Sequence, residues 1–440
     1  MRKLGLISLG CAKNRVDAEH LLAGLTRRGF ELVEDPAEAE VVIVNTCGFI
    51  REAVEESVEE ILQAALLKKD GACRVLAVAG CLAKRYPEMA PEMPEVDHFF
   101  TPEDLPRIPE VLGAAAGLPD APTLPGPRCG PGPGRILTQP PHTAYLKIAE
   151  GCSNRCTYCT IPAIRGPFRS HAEDQLVAEA QELAGLGVVE LNLVAQDVTS
   201  YGGDTQDPAA LTRLLRRLAA IDGLAWLRLL YAYPGRLPAG LAELLAEGGK
   251  LLPYLDVPIQ HIHPRILRAM GRRTSAEEVE ALLVGLQETV PGLVLRTTTI
   301  VGFPGETEEE FDALVALIRR VRFHHLGAFL YSPEEGTPAA RLRPRIPVKV
   351  GRQRLDRLLE AQAEISETRN REFLGRTLDV LVEGVDEEGE VVGRTYGQAP
   401  EVDGFTRLSG YEGEIEIGAF VRARITGADT YDLRAEVTER

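Results

Sequence analysis

The sequence predicts an α/β protein of three successive units: an open parallel sheet, a parallel barrel or partial barrel, and a small all-β barrel. Apolar strand-like runs alternate with amphipathic helical stretches through most of the chain. A segment dense in Pro and Gly interrupts this alternation, and near the C-terminus short strand patterns follow one another with turn residues between them. With 440 residues, 45% of them apolar, the chain can build several hydrophobic cores.

The first unit, residues 1–116, is predicted to be the open parallel sheet. Its strand-like runs are residues 4–9, 41–44 and 75–79, and a helical stretch follows each of the first two. A cysteine follows each run closely, namely Cys11, Cys47 and Cys81. Since the carboxyl ends of parallel strands share one edge, we expect these three cysteines to converge in space. One such cysteine would be an ordinary buried residue, but the repeated placement indicates a common site.

Residues 117–141 contain eight prolines with interleaved glycines and are predicted to be a linker. The second unit, residues 142–369, again alternates strands and helices, which predicts a barrel with its active site at the carboxyl ends of the strands. The six strand-like runs are residues 145–148, 189–194, 227–230, 254–259, 293–301 and 326–331.

The third unit, residues 370–440, follows a predicted helix over residues 349–373 and is predicted to be the small all-β barrel. Its strand-like runs are residues 377–382, 390–394, 413–417, 420–425 and 432–437. It has eight arginines and no lysine against sixteen acidic residues, a net charge of −8, and the whole chain carries −16. Such a charge disfavours nucleic-acid phosphates and favours a basic partner.

A CxxxCxxC group, Cys152, Cys156 and Cys159, follows the first strand of the second unit. Three thiolates can hold three corners of a cubane iron-sulfur cluster and leave one iron open to a small molecule. A zinc knuckle or a disulfide is the alternative interpretation. Structural zinc needs four ligands, however, and the nearest downstream histidine, His171, lies outside the usual ligand spacing.

The sequence has no apolar run long enough to cross a membrane, and its first residues lack the apolar core of a signal peptide. We therefore expect a cytoplasmic protein with no membrane partner. In that compartment the eight cysteines are expected to be metal ligands or free thiols rather than disulfides.

The run 151–159 resembles the cluster motif of radical S-adenosylmethionine (SAM) enzymes, with Tyr158 as the aromatic residue before the last cysteine. Combined with the N-terminal cysteines and the C-terminal β barrel, it resembles the radical SAM methylthiotransferase family over essentially the whole chain. Residues 8–17, 161–166, 331–337 and 399–404 resemble the branch that methylthiolates an aspartate of small-subunit ribosomal protein twelve. A sister branch modifies a tRNA adenosine.

This resemblance implies an N-terminal methylthiotransferase domain, a central radical SAM partial (β/α)6 barrel and a C-terminal TRAM domain. It also implies two 4Fe-4S clusters. Cys152, Cys156 and Cys159 would hold the cluster that cleaves SAM, and Cys11, Cys47 and Cys81 the one that delivers sulfur to the β-carbon of the aspartate. A second SAM would supply the methyl group, and no catalytic residue is assigned beyond the cluster ligands.

The implied partners are ribosomal protein twelve, free or in the ribosome, and an electron donor, whereas the acidic charge makes a nucleic acid an unfavourable main substrate. The implied SAM contacts are Tyr158, Gln196, Gln260, Arg296, Gly302 and Glu306. Gly302 and Glu306 belong to a run, 300–306, that resembles a strand-end glycine motif facing adenine. Gln196 stands where many radical SAM enzymes carry a GGE triplet, but the glycines are missing. For Gln260 and Arg296 a salt bridge or polar rim is the alternative.

Two other functions stay open on the sequence alone. One is tRNA adenosine methylthiolation, which uses the same chemistry on a different substrate. The other is an iron-sulfur scaffold or electron carrier, which would not cleave SAM.

Overall fold

The computed structural model describes residues 2–118, 134–411 and 413–439. The N-terminal unit is an open parallel sheet in the order β2-β1-β3-β4-β5, which confirms the predicted architecture. Its strands are β1 (Arg2–Ser8), β2 (Phe30–Leu32), β3 (Val41–Thr46), β4 (Val75–Gly80) and β5 (His98–Phe100). Its helices are α1 (Ala12–Arg28), α2 (Arg51–Asp70), α3 (Cys81–Arg85) and α4 (Ile108–Ala115). The sequence did not predict β2 and β5, because three residues are too few to display an alternating pattern.

The second unit is a six-stranded parallel sheet in the order β13-β12-β11-β10-β9-β6, with helices on its outer face. The strands are β6 (Thr143–Lys147), β9 (Glu190–Val194), β10 (Trp226–Leu229), β11 (Leu251–Asp256), β12 (Val294–Val301) and β13 (His325–Leu330), and a short ribbon is formed by β7 (Ala149–Glu150) and β8 (Arg169–Ser170). The helices are α5 (Ile161–Arg165), α6 (Glu173–Gly185), α7 (Ala210–Ala219), α8 (Leu241–Glu247), α9 (Pro264–Ala269), α10 (Ala276–Thr289), α11 (Glu308–Val321) and α12 (Val348–Arg371).

The third unit is a closed barrel in the order β14-β15-β16-β18-β17. Its strands are β14 (Thr377–Val385), β15 (Val391–Thr395), β16 (Thr406–Ser409), β17 (Phe420–Ala428) and β18 (Leu433–Glu439). The predicted strand at 413–417 is wrong, because β16 lies earlier and the exposed residues 413–417 form the connection to β17. The predicted strand at 254–259 is displaced, because β11 ends at Asp256 and the chain turns at Gln260, whose φ is +68°.

Most of the predicted linker, residues 117–141, lies outside the described residues, and so does Cys129. Within the described ranges, no helix combines the length and the apolar character needed to span a bilayer.

The β barrel packs against the inner face of the six-stranded sheet, opposite the helices. Trp226 and Tyr254 of the sheet belong to the same apolar cluster as Val380 and Ala399 of the β barrel, and Val16 of α1 joins them. The Trp226 ring meets the Phe420 ring edge to face, with 4.8 Å between centroids. The inner face of the sheet is therefore filled by side chains from both neighbouring units.

A buried charge cluster fixes this packing. Glu190 of β9 accepts hydrogen bonds from Arg228 of β10 (3.0 Å) and from Arg394 of the β barrel (2.5 Å), and all three side chains are almost completely buried. Arg228 also donates to the carbonyl of Tyr396 (2.7 Å). Burial alone would raise the pKa of Glu190, but the neighbouring charges of Arg394 and Arg228 lower it to about 2.

We predict that Glu190→Gln loosens the contact between the β barrel and the sheet, because it leaves the buried guanidinium of Arg228 without a counter-charge and leaves Arg394 with Glu383 alone. The expected loss in the free energy of unfolding is about 3 kcal/mol or more. Trp226 is the single tryptophan of the chain, so its fluorescence reports this interface during denaturant titration. The matched control is Glu247→Gln, which removes an exposed ion pair with Arg216 and should cost less than about 1 kcal/mol.

The role of Glu190 can also be tested through the pH dependence of the free energy of unfolding. Because the folded pKa of Glu190 lies below its ordinary value of 4.5, the carboxylate stabilises the fold above that pH. This contribution is lost as the pH falls from 4.5 towards 2, and the Glu190→Gln variant should lack it. Equal acid sensitivity in the variant and the wild-type protein would contradict the assignment.

Candidate active site

The three N-terminal cysteines converge at the carboxyl edge of their sheet. Cys11 precedes α1, Cys47 follows β3 and Cys81 begins α3, and the strands β1, β3 and β4 that lead to them are neighbours. The three side chains lie close enough together for the charge of one cysteine to raise the pKa of another. The convergence expected from strand order is therefore present.

Glycine makes these sharp strand ends possible. Gly80, directly before Cys81, has φ +102° and ψ −153°, a backbone region that essentially excludes side chains. A Cβ atom at this position would lie 2.6 Å from the carbonyl oxygen of Thr46. Gly151, directly before Cys152, has φ +71°, and its Cβ would lie 2.3 Å from the carbonyl oxygen of Pro167. Both turns therefore require glycine.

The thiols of the N-terminal trio have unequal environments. Cys11 is exposed to solvent, Cys47 is half-buried and Cys81 is buried. Burial alone would raise the pKa of the Cys11 thiol, but the charge of Lys13 and the amide of Asn14 lower it below its ordinary value. Burial raises the pKa of Cys81 to about 11, although Arg165 donates a hydrogen bond to its Sγ at 3.3 Å.

Arg165 belongs to the second unit, so its contact with Cys81 joins the two halves of the site. The same guanidinium donates to Asp17 of α1 at 2.5 Å, and Asp17 also accepts a hydrogen bond from Lys147 at the end of β6. All three side chains are buried. Burial alone would raise the pKa of Asp17, but Lys147 and Arg165 lower it to about 2, so it stays ionised. This contact holds the N-terminal trio against the barrel.

The CxxxCxxC loop lies at the adjoining edge of the barrel. Thr157 anchors it by donating its amide to the carbonyl of Met270 (2.9 Å) and its hydroxyl to that of Ala269 (2.7 Å). Cys152 is buried, and Cys156 and Cys159 are half-buried. Burial raises the pKa of Cys159 to about 12. Helix α5, which follows the loop, packs against α3, so the two cysteine trios stand on neighbouring elements.

The donor sets of both trios fit iron-sulfur clusters. Buried thiols with raised pKa values keep their protons until a metal displaces them. Within the described ranges, no three His, Cys, Asp or Glu side chains stand close enough together to hold a single metal ion. A four-iron cubane is larger and distributes its ligands over separate corners, which accommodates more widely spaced sulfurs.

The predicted SAM contacts divide into two groups. Tyr158, Gln196, Gln260 and Gly302 lie at the carboxyl edge, in or beside the loops that follow β7, β9, β11 and β12. Glu306 lies in the same loop as Gly302 and is buried. Its Oε2 accepts the amide of Phe303 at 2.9 Å, and burial raises its pKa to about 7.

Arg296 stands apart from the other candidates. It lies within β12, and its Nη1 donates to Asp403 of the β barrel at 2.8 Å. Tyr254 donates its hydroxyl to the same carboxylate at 2.7 Å. These contacts give Arg296 a structural role in joining the sheet to the β barrel.

Sequence reasoning did not single out several charged residues of the site. Lys13 and Asp17 are one helical turn apart on α1 and face the barrel, a relation that the i, i+4 spacing could have indicated. Arg272 is buried beside Tyr158, and its Nε and Nη1 have no hydrogen-bond partner among the described residues. Asp256 ends β11, and burial raises its pKa to about 6.

Comparison with known families and structures agrees with this architecture. Residues 146–318 match the radical SAM superfamily, residues 3–101 match the uncharacterized protein family UPF0004, and residues 374–438 match the TRAM domain. Two solved radical SAM enzymes share the fold. The methyltransferase TsrM of Kitasatospora setae has a TM-score of 0.56 at 18% identity, with 77% of each chain covered. The enzyme OxsB has a TM-score of 0.52 at 10% identity, with 83% of this chain and 58% of that chain covered. The fold and site define a radical SAM enzyme.

Relatives at high identity give the family within that class. The ribosomal protein uS12 methylthiotransferases RimO of Pelobacter propionicus and Trichlorobacter lovleyi are 46% and 47% identical, covering 100% of this chain and 98% of theirs. The RimO of Geobacter sulfurreducens is 45% identical and covers 99% of this chain and 98% of its own. The chain belongs to the RimO family of radical SAM methylthiotransferases.

We predict that Gly80→Ala disrupts the placement of Cys81, because the added Cβ meets the backbone of β3 and the dihedral angles exclude alanine. The expected loss in the free energy of unfolding is about 3 kcal/mol. The matched control is Gly285→Ala in α10, where a Cβ meets no atom within 4 Å and the helix should gain about 0.5–1 kcal/mol. Denaturant titration followed by circular dichroism compares the two variants. A Gly80→Ala protein as stable as the wild type would contradict the argument.

Proposed function

We propose that this protein methylthiolates the β-carbon of an aspartate in the small-subunit ribosomal protein uS12, in the cytoplasm. The observation that carries the proposal is the pairing of two cysteine trios at adjoining strand edges in a chain that matches RimO relatives over its whole length. The carbon–hydrogen bond to be replaced is too weakly acidic for a side-chain base, so the reaction needs a radical.

The residues fit two cubane clusters, each held by one trio. When bound, a cluster at Cys152, Cys156 and Cys159 supplies the electron that cleaves SAM, and a second at Cys11, Cys47 and Cys81 holds the sulfur. The protein's own residues position the cysteines and set the charge around them. Thr157 anchors the barrel loop, and Arg165 and Lys13 put positive charge beside the N-terminal thiolates. Tyr158, Gln196, Gln260, Gly302 and Glu306 are the proposed SAM contacts, and an external one-electron donor is required.

The charge of the TRAM barrel supports a basic protein substrate. Exposed acidic residues on it are Glu387, Glu388, Glu390, Glu414 and Glu416. Asp386, at the start of the first of these turns, is instead held by Arg407 at 3.0 Å and by the amides of Glu388 and Glu390. Glu412, a further acidic residue of this barrel, lies outside the described residues. The tRNA alternative would have to bring phosphates to this acidic surface.

We predict that anaerobically reconstituted protein holds about eight irons per chain, because each trio binds one four-iron cluster. Replacing Cys152, Cys156 and Cys159 together by alanine should leave about four and abolish SAM cleavage. Iron analysis and chromatography of 5′-deoxyadenosine measure both effects.

The complementary variant, with Cys11, Cys47 and Cys81 replaced by alanine, should still cleave SAM but add no sulfur to uS12, as mass spectrometry would show. The matched control is Cys73→Ala, since Cys73 precedes β4 and is not expected to bind a cluster. Methylthiolation of tRNA but not of uS12 by the wild-type protein would contradict the proposed substrate, and full activity of the N-terminal variant would contradict the two-cluster arrangement.

We predict that Glu387→Lys, Glu388→Lys and Glu390→Lys together weaken binding of uS12 about tenfold at low salt and flatten its salt dependence. Exposed charges act mainly through long-range attraction, which salt screens beyond about 8 Å at physiological strength. Affinity measured across a salt series tests this. The matched control reverses Glu243, Glu247 and Glu288, which are exposed on the outer helices. An equal loss in both triple variants would show that net charge alone, rather than this turn, matters.

A further inference from the structure

The ammonium group of Lys13 is buried without a carboxylate partner in the described part of the chain. The side chain is only 6% exposed, and its Nζ lies 3.5 Å from the centroid of the Tyr231 ring. Asp17, one turn further along α1, is already paired with Lys147 and Arg165. Burying a charge is costly unless an opposite charge compensates it, and an aromatic face offsets only part of that cost. A carboxylate is the group that this position lacks.

Lys13 lies where the two halves of the site meet. It is two residues beyond Cys11, and its charge acts on Cys11 and on Tyr231. Tyr231 follows β10 at the carboxyl edge of the barrel and adopts φ +66°. Because Cys11 is exposed to solvent, an incoming molecule can approach the region beside Lys13.

Asp256 is a nearby carboxylate whose negative charge acts on Lys13, but no salt bridge joins the two side chains among the described residues. Its Oδ2 accepts the amide of Tyr231 at 3.1 Å, and its Oδ1 lies 3.9 Å from Arg296. It does not come within 4.0 Å of the Lys13 ammonium. Asp256 therefore compensates the charge of Lys13 only from a distance, and no carboxylate of the described residues contacts the ammonium directly.

The proposed aspartate substrate carries the carboxylate that Lys13 lacks as a partner. The reacting β-carbon of an aspartate is bonded directly to the side-chain carboxylate, so that anion must enter the site together with the carbon. Thiolates of the N-terminal trio would repel it, and a buried cation beside Cys11 offsets this repulsion. Charge-assisted hydrogen bonds also fix orientation, which would present one face of the β-carbon to the sulfur.

We propose that Lys13 binds the carboxylate of the target aspartate and thereby selects aspartate over neutral residues. This inference rests on the proposed function and goes beyond it by assigning the side chain that recognises the reacting residue. Lys13 is thus a specificity-determining residue, and a substrate without a carboxylate, such as a nucleobase, gains nothing from it.

The test compares two uS12 proteins, one with the target aspartate and one with asparagine in its place, against wild-type enzyme, Lys13→Met and Lys13→Arg. Calorimetry should show that the wild type binds the aspartate protein about 10-fold to 100-fold more tightly, the range of a charge-assisted hydrogen bond. Lys13→Met should bind both proteins with the weaker affinity, and Lys13→Arg should retain part of the preference. Lys3→Met, which alters an exposed ion pair of the same unit, is the matched control and should behave as the wild type.

The outcomes separate this inference from the proposed function. Retention of the full preference by Lys13→Met would overturn the role of Lys13 while leaving uS12 methylthiolation intact. Failure of the wild type to modify uS12 would instead overturn the proposed function. Iron analysis identifies a variant that has lost its clusters. If a variant has lost its clusters, the binding measurement on the wild-type enzyme tests the inference without it. Equal affinity of the wild type for the aspartate and asparagine proteins would also overturn the inference.

Discussion

The carboxylate of Asp17 contacts Lys147 and Arg165 at the same time, and the relative position of the two cysteine trios depends on this buried contact. Each trio is arranged by its own sheet, but no sheet hydrogen bonds join the two units within the described residues. Among the buried contacts that join them, a carboxylate from α1 pairs with two cations from the barrel, one of which also contacts Cys81. Removing Asp17 alone would leave these two cations with Glu150 as their only carboxylate partner among the described residues, so the cluster behaves as a unit. A second buried ion pair, Arg85 with Glu334, also crosses between the units.

A second group of buried ion pairs holds the β barrel against the six-stranded sheet. Glu190 and Asp403 each accept hydrogen bonds across the interface between the sheet and the β barrel, from Arg394 and from Arg296 respectively. The inner face of the sheet is thus closed by another domain rather than by its own side chains. This explains why strands of the barrel carry charged residues at positions that are completely buried.

The sequence predicted the elements whose pattern is local. Strands followed by cysteines, the CxxxCxxC loop and the alternating helices all depend on short-range periodicity and spacing, and the structure contains them. The contacts between units could not be predicted from the sequence. Arg296 resembled a ligand contact because a polar residue in an apolar strand needs a partner, but that partner, Asp403, lies 107 residues away. Residues 413–417 alternate like a strand although they are exposed, and Lys13 was overlooked because its burial depends on the barrel.

The closure of the inner sheet face by the β barrel has a consequence for synthesis of the chain. A ribosome releases the strands β6 to β13 well before β14 to β18, and domains generally fold in the order in which they emerge. Until the last seventy or so residues appear, Trp226, Arg228 and Tyr254 face water instead of their final neighbours. A nascent chain halted before that point exposes an apolar surface, which makes it a target for chaperones and proteases. Completion of the polypeptide is therefore the step that makes the central barrel a finished domain.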